Sequence, residues 1–187
     1  MQLFFLLLIV VGVIGFQKSK TMVDGIDWHY IGDSHAQAIG PIAFNQHATF
    51  EAHAGKTIAW LARNVSLAEH PNLVLQGGTN DAANGWTLED LTAAFEQLKA
   101  SANGQPYCVV VFGPPPSMRQ DALPDRVRAV NVDIQTAALA AGFTFRSLVD
   151  FECGAEDFRW GAEAWDQGVH FNDAGYRRLA TEILQNL

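Results

Sequence analysis

The sequence contains few cysteines, few basic residues and no internal repeat. Its two cysteines, Cys108 and Cys153, are too few for a disulfide framework or a cysteine-rich zinc site. The 12 Lys and Arg form no cluster and are outnumbered by 20 Asp and Glu. The resulting net charge of −8 argues against a nucleic-acid-binding surface. The histidines lack metal-ligand spacing with an acidic partner, so we predict neither a metal nor another cofactor.

Charge is also missing from the first 17 residues, and residues 3–16 are all apolar or glycine. As a helix this run extends about 21 Å, less than the ~30 Å hydrocarbon core of a bilayer. That length is typical of the hydrophobic part of an export signal, whereas Lys18 and Lys20 behind it favour a retained anchor. A segment buried in a larger assembly is the third alternative.

We therefore predict a hydrophobic signal or anchor segment at residues 1–20 and one globular domain at residues 24–187. Residues 1–17 are expected to contact a membrane or a larger assembly. The protein is expected to be exported to the periplasm or cell exterior, anchored in a membrane, or part of such an assembly.

From residue 24 onwards, short apolar runs alternate with segments of helical periodicity. The predicted strands are residues 26–31, 43–50, 73–75, 107–112 and 143–149, and the predicted helices are residues 36–39, 57–69, 88–100, 124–141 and 174–187. Strands that alternate with helices form parallel sheets covered on both faces. The pattern predicts a three-layer α/β/α sandwich with a mostly parallel, flavodoxin-like central sheet.

Two short segments carry the residues of greatest chemical interest. Gly32-Asp33-Ser34-His35 follows the first predicted strand, and Gly168-Val169-His170-Phe171-Asn172 precedes the last predicted helix. A serine hydroxyl is a poor nucleophile until a base removes its proton, and histidine is the usual base near neutral pH. Functional residues of parallel sheets gather at the carboxyl ends of the strands, where Ser34 falls and His170 can reach. The placement favours a catalytic pair over a turn serine and a loop histidine.

Four blocks in the chain resemble, in order and spacing, those of the SGNH (GDSL-like) hydrolase family. They are Gly32-Asp33-Ser34-His35, Ala54-Gly55-Lys56-Thr57, Gly78-Thr79-Asn80-Asp81 and Gly168-Val169-His170-Phe171-Asn172. The resemblance extends from about residue 26 to residue 187, so it implies that residues 24–187 form an SGNH hydrolase-like domain. It implies further that Ser34 is the nucleophile and His170 the general base. The implied oxyanion hole consists of the N–H groups of Ser34 and Gly55 and the side-chain amide of Asn80.

One position departs from the family pattern. The last block of the family usually reads Asp-x-x-His, and its Asp accepts a hydrogen bond from the imidazole Nδ1–H. Gln167 occupies this position here, and Asp166 lies one residue earlier. Asp166 reaches the ring through an altered loop, or Gln167 or a backbone carbonyl supports a Ser–His dyad, or the site is weak or inactive. Further carboxylates lie in the preceding loop, at Glu156, Asp157 and Glu163.

The resemblance implies a serine esterase that forms an acyl-enzyme on Ser34. The expected substrate is a small acyl ester, O-acetyl first, on a small molecule or on a cell-wall or surface polysaccharide. The alternatives are a lipid acylhydrolase or thioesterase, and a non-catalytic carbohydrate-binding or structural assembly subunit. Tryptophans expected near the rim of the site, where they can stack on sugar rings, are Trp86, Trp160 and Trp165. Arg119 is a candidate contact for an anionic substrate.

Overall fold

The structure is a computed structural model that describes residues 27–43, 48–160 and 167–187. The predicted signal or anchor at residues 1–20 lies outside these ranges. Within them, no helix has both the length and the apolar character needed to cross a bilayer. Cys108 and Cys153 are both free.

The described residues form five strands and six α-helices that alternate along the chain. The strands are β1 (Trp28–Gly32), β2 (Ala48–Ala52), β3 (Asn72–Gln76), β4 (Cys108–Phe112) and β5 (Thr144–Arg146). The helices are α1 (Ser34–Ala43), α2 (Ile58–Arg63), α3 (Thr79–Asn84), α4 (Leu88–Ala100), α5 (Leu123–Ala141) and α6 (Asp173–Gln185). All strand pairs are parallel and the sheet order is β2-β1-β3-β4-β5, which confirms the predicted class of fold.

Side chains of alternate residues in the central strands point to opposite faces of the sheet, and each face has its own hydrophobic core. Ile31 and Leu75 belong to a core with α2, α4 and α5. Tyr30 and Val74, their neighbours along the strands, belong to a second core with α1 and α6. The strands are buried on both sides, which explains why β3 and β4 read as almost unbroken apolar runs. Three layers result.

Several predicted boundaries are wrong for identifiable reasons. Helix α1 continues through Gly40 and Pro41, where the sequence predicts a stop. A Cβ on Gly40 would lie 2.4 Å from the Phe50 ring, so this glycine permits close packing against β2 and does not end a helix. Helix α2 ends at Arg63, six residues early. Helix α6 begins at Asp173, one residue before the predicted start, and its cap is Asn172.

Candidate active site

Ser34 lies at the junction between β1 and α1. It is the first residue of the helix, so its backbone N–H has no acceptor within that helix. The turn needs Gly32, because a Cβ there would lie 2.4 Å from the Ala36 Cβ and 2.9 Å from the Gln76 carbonyl oxygen. The serine is thereby placed at the carboxyl edge of the sheet, beside the β1–β3 boundary. In this strand order that boundary is where the crossover direction reverses and ligands usually bind.

His170 lies in the loop before α6, and backbone hydrogen bonds on both sides hold this loop. The Arg159 N–H donates to the His170 carbonyl oxygen (2.8 Å), next to an antiparallel bridge between Phe158 and Phe171. The Met118 N–H donates to the Gly168 carbonyl oxygen (2.8 Å). These bonds fix the backbone of the loop around His170.

The structure brings Ser34 and His170 together, although 136 positions separate them in the sequence. The Ser34 Oγ lies 2.8 Å from the His170 Nε2, which is within hydrogen-bond distance. Both side chains line an open cavity of about 350 Å³ together with Gln37, Ala38, Arg159 and Tyr176. A nucleophile and a base in contact at the wall of a cavity can perform acyl transfer.

The loops that contain Gly55 and Asn80 reach the same edge of the sheet. Strands β2, β1 and β3 end in register at Ala52, Gly32 and Gln76, so the segments that follow them emerge side by side. The Asn80 Nδ2 donates to the Lys56 carbonyl oxygen (3.0 Å), which joins the second and third sequence blocks. One N–H of that amide is used in this bond, and the group carries two.

Gly55 and Asn80 lie in different local settings. Gly55 does not lie at a helix terminus, because α2 begins at Ile58 with Thr57 as its cap. It lies in an exposed turn with φ +76°, a conformation that favours glycine. Asn80 belongs to the short helix α3, which is not among the helices predicted from the sequence. The Asp81 carboxylate at the same terminus accepts from the Ile58 N–H (2.8 Å) and so fixes α3 against α2.

The carboxylates proposed to orient His170 fall into two groups. Asp166 and Glu163 lie outside the described residues. Asp157 is buried and directed elsewhere, since its carboxylate pairs with Arg178 and accepts from the Gly154 N–H. Because this carboxylate is paired with Arg178 of α6, Asp157 is not the group that orients His170. Glu156, in the same short turn, is exposed. Gln167 has φ +28°, an unusual backbone conformation for a residue other than glycine.

A second histidine lies against the pair, and the sequence did not single it out. His35 is buried, and its ring centroid lies 5.1 Å from that of His170. Its Nδ1 lies 3.3 Å from the Tyr176 hydroxyl oxygen. Burial, with a further contribution from His170, lowers the pKa of His35 to about 3. The ring is therefore neutral at physiological pH and too weakly basic to replace His170 as a base.

Of the other residues expected near the rim of the site, some lie close to the His170 loop and others do not. Trp160 is 49% exposed and lies beside Gly168, close to the His170 loop. Trp86 instead packs on the core and its Nε1 donates to Asp133 (2.6 Å), so it is not placed to stack on a ligand. Trp165 lies outside the described residues. Arg119 pairs with Asp121, two residues away.

Asp33, directly before the proposed nucleophile, is a buried carboxyl group. Its Oδ1 accepts from the His35 N–H (2.9 Å), and its Oδ2 has no hydrogen-bond partner among the described residues. Burial raises the pKa of Asp33 to about 7, and the nearby Asp81 raises it further against the opposing effect of the backbone N–H groups. The ordinary pKa is 3.8, so Asp33 holds its proton in the folded protein over a pH range where the unfolded chain has lost it.

We expect Asp33→Asn to stabilise the protein at alkaline pH. The carboxyl group disfavours folding increasingly as pH rises from 3.8 to about 7, and the penalty stays constant above that. Asparagine keeps the acceptor for the His35 N–H and does not ionise. The free energy of unfolding at pH 8 should rise by up to about 4 kcal/mol, at 1.36 kcal/mol for each pKa unit, with little change at pH 3. Urea denaturation at both pH values measures this.

The matched control for this experiment is Asp125→Asn, at an exposed position in the first turn of α5. Its free energy of unfolding should change by no more than about 0.5 kcal/mol at either pH. Equal pH dependence of stability in Asp33→Asn and the wild type would show that Asp33 ionises normally in the folded protein.

The architecture and the paired side chains together define a class of protein. A serine at the start of a helix, bonded to a histidine across the carboxyl edge of a parallel sheet, is the arrangement of a serine hydrolase. A model of the GDSL-like lipase/acylhydrolase family matches residues 27–178. The chain belongs to this family, and by class it is a carboxylic ester hydrolase. No curated protein sequence matches that of the chain.

Solved structures of similar fold include several esterases. A variant of Axe2, an acetyl-xylooligosaccharide esterase from Geobacillus stearothermophilus, has 16% identity and a TM-score of 0.62, over 88% of this chain and 95% of its own. A lipase/acylhydrolase from Enterococcus faecalis has 17% identity and a TM-score of 0.60, over 86% and 95%. A GDSL-like lipase from Bacteroides thetaiotaomicron has 16% identity and a TM-score of 0.61, over 85% and 86%. Because the sequence identities are this low, the similarity to these structures shows a shared fold and nothing more.

Proposed function

We propose that the protein is a serine esterase that removes a small acyl group, acetyl first, from an oxygen ester on a saccharide. Ser34 is the nucleophile and His170 the general base. The 2.8 Å contact between the Ser34 Oγ and the His170 Nε2 carries this proposal, because it is the geometry that proton transfer between them requires.

The reaction follows from that contact. The Ser34 Oγ attacks the carbonyl carbon of the ester while its proton passes to the His170 Nε2. The tetrahedral intermediate then breaks its bond to the alcohol oxygen, which takes the proton from His170. The acyl group remains on Ser34. Water then attacks the acyl carbon while its proton passes to the same nitrogen. The bond between the acyl carbon and the Ser34 Oγ breaks, the serine oxygen takes the proton from His170, and the carboxylic acid leaves.

The developing negative charge on the carbonyl oxygen needs donors close to Ser34. We assign this role to the Ser34 N–H, the Gly55 N–H and the second amide N–H of Asn80. The in-register strand ends and the Asn80–Lys56 bond support the assignment, since they keep these three loops together before substrate binds. Preorganised donors of this kind contribute about 3–4 kcal/mol each to transition-state stabilisation.

The group that orients the imidazole is also a proposal. Asp166 is the first choice because a charged acceptor stabilises the imidazolium that forms during the reaction, and the amide oxygen of Gln167 or a backbone carbonyl is the second. The backbone bonds from Arg159 and Met118 reduce what either group must supply, since they already fix the loop.

The size and surroundings of the cavity support a small acyl group on a saccharide. Its volume of about 350 Å³ is at the lower end of ligand sites and its mouth is open. The exposed Trp160 beside the His170 loop offers a face on which a sugar ring can stack. Axe2, a protein of similar fold, acts on acetylated xylooligosaccharides, and serine and histidine variants of it are described as catalytic mutants. An exported or surface-anchored location would bring this enzyme to such substrates.

A fluorophosphonate probe tests the proposal directly. An activated serine displaces fluoride from phosphorus and becomes covalently labelled, whereas an ordinary serine does not react. We expect peptide mass spectrometry of the labelled native protein to place the adduct on Ser34. The other serines in the same digest, among them Ser66 and Ser117, are internal controls. An unlabelled protein, or a label on another serine, would contradict the proposal and favour a non-catalytic binding role.

A further inference from the structure

Arg159 brings a positive charge into the cavity that contains the catalytic pair. Its side chain lines this space of about 350 Å³ together with Ser34 and His170. Arg159 is exposed, so the guanidinium is accessible to a ligand. A cavity of this volume is roughly 9 Å across, so a group bound to Arg159 lies within one sugar or aromatic ring of an ester carbonyl at Ser34.

The structure holds Arg159 in place through both its backbone and its side chain. The backbone N–H is bonded to the His170 carbonyl oxygen, so Arg159 moves with the base. The guanidinium carbon lies 5.8 Å from the centre of the Tyr176 ring, a cation–π distance. Tyr176 is itself buried beside His35. This contact favours a guanidinium position at the cavity wall before a ligand binds.

Arg159 forms no ion pair with any carboxylate in residues 27–43, 48–160 and 167–187. Four other arginines of the same ranges pair with Asp, namely Arg63, Arg119, Arg128 and Arg178. Arg126, Arg146 and Arg177 form no such pair either, but of the arginines without one only Arg159 is among the described residues that line the cavity. The chain has a net charge of −8, so its overall field repels anions. The neutral His35 adds no positive charge beside Arg159. Within the part of the chain that the structure describes, the Arg159 guanidinium is therefore at the cavity wall without a carboxylate partner, and an anionic ligand can pair with it.

We infer that Arg159 forms a carboxylate subsite, and that the preferred substrate is an acyl ester with a carboxylate on the alcohol side, such as an acylated uronic acid. The inference rests on the proposed esterase function, because it uses the same cavity and names its substrate class. The guanidinium presents two parallel N–H donors to a carboxylate, which fixes the alcohol part of the ester while the acyl carbon meets Ser34.

A matched pair of esters tests the subsite. 4-Acetoxybenzoate carries the carboxylate, and methyl 4-acetoxybenzoate is its neutral counterpart with the same acyl group. We expect the ratio of kcat/KM for the charged to the neutral ester to fall about tenfold in Arg159→Gln, the loss typical of one charged hydrogen bond. Arg159→Lys should retain part of the ratio. An Arg159→Gln ratio equal to that of the wild type would overturn the inference.

The control variant is Arg177→Gln, which removes an exposed positive charge from α6, next to Tyr176 in sequence but outside the cavity lining. Its ratio should equal that of the wild type, because a local contact and not the net charge determines the preference. A fall as large as that of Arg159→Gln would show that the overall field alone discriminates between the esters, which also overturns the subsite.

Binding separates this inference from the proposed function. In the Ser34→Ala background we compare 4-acetamidobenzoate with its methyl ester by ligand-observed NMR. Preference for the carboxylate that disappears in Ser34→Ala/Arg159→Gln supports the subsite, even if the wild type hydrolyses neither ester and the esterase proposal fails. Equal binding of the two compounds by Ser34→Ala overturns the subsite, and leaves an esterase that hydrolyses both esters intact.

Discussion

Ser34→Ala is expected to lower kcat for p-nitrophenyl acetate by at least about 10³-fold, to the level of the background reaction. The substitution removes the atom that forms the acyl-enzyme, and among the described residues no other serine or threonine lines the cavity. Binding should persist, because the remaining lining residues stay in place. Release of p-nitrophenolate under saturating substrate measures the change, and circular dichroism verifies the fold.

The matched control is Ser66→Ala. Ser66 lies in the turn after α2, and its backbone oxygen accepts the bonds that shape this turn, from the N–H groups of Glu69 and His70. Alanine keeps that oxygen, so kcat should equal the wild-type value. Comparable rates for Ser34→Ala and the wild type would refute covalent catalysis at Ser34.

His170→Ala is expected to reduce kcat by about 10³-fold or more, because the Ser34 hydroxyl then lacks a base. His35 lies close by but cannot substitute, since burial lowers its pKa to about 3. Added imidazole should restore part of the activity, because the space vacated by the side chain opens to the cavity that contains Ser34. The rate as a function of imidazole concentration measures this rescue.

His70→Ala provides the control for that experiment. His70 lies just before β3, at the amino end of a strand whose carboxyl end faces the site, so it is on the opposite edge of the sheet. Its loss removes the stacking contact with His29 and should leave kcat unchanged. If His170→Ala retained wild-type activity, His170 would not be the base.

The sequence predicts the parts of this fold that depend on local, repeated signals. Val109 to Phe112 form an apolar run closed by glycine and proline, and Thr87 precedes a helical pattern, so β4 and the start of α4 are predicted closely. The Ser34–His170 contact is also predictable, since a parallel sheet brings strand ends to a common edge.

The elements that the sequence mispredicts are those set by tertiary contacts. Gly40 looks like a helix stop until the Phe50 ring is placed against it. Helix α3 is only six residues long, and the hydrogen bond from the Ile58 N–H to Asp81 holds it against α2. The local sequence contains no pattern that predicts this long-range contact. The position of Arg159 in the cavity is not predictable from the sequence for the same reason. It enters the cavity because a single bridge at Phe158 and Phe171 brings its backbone beside His170.

The second core, beneath α1 and α6, has a consequence for how the enzyme can change during evolution. Ser34 begins α1, His170 stands just before α6, and the two helices share buried residues such as Ile39 and Leu179. The spacing of the reacting atoms is thus set by the same side chains that hold the helices together. Under the proposed function, new substrate preferences would arise by altering Arg159 and Trp160 at the cavity. Drift inside the helix pair is restricted, because a substitution that shifts one helix against the other also misaligns the catalytic pair.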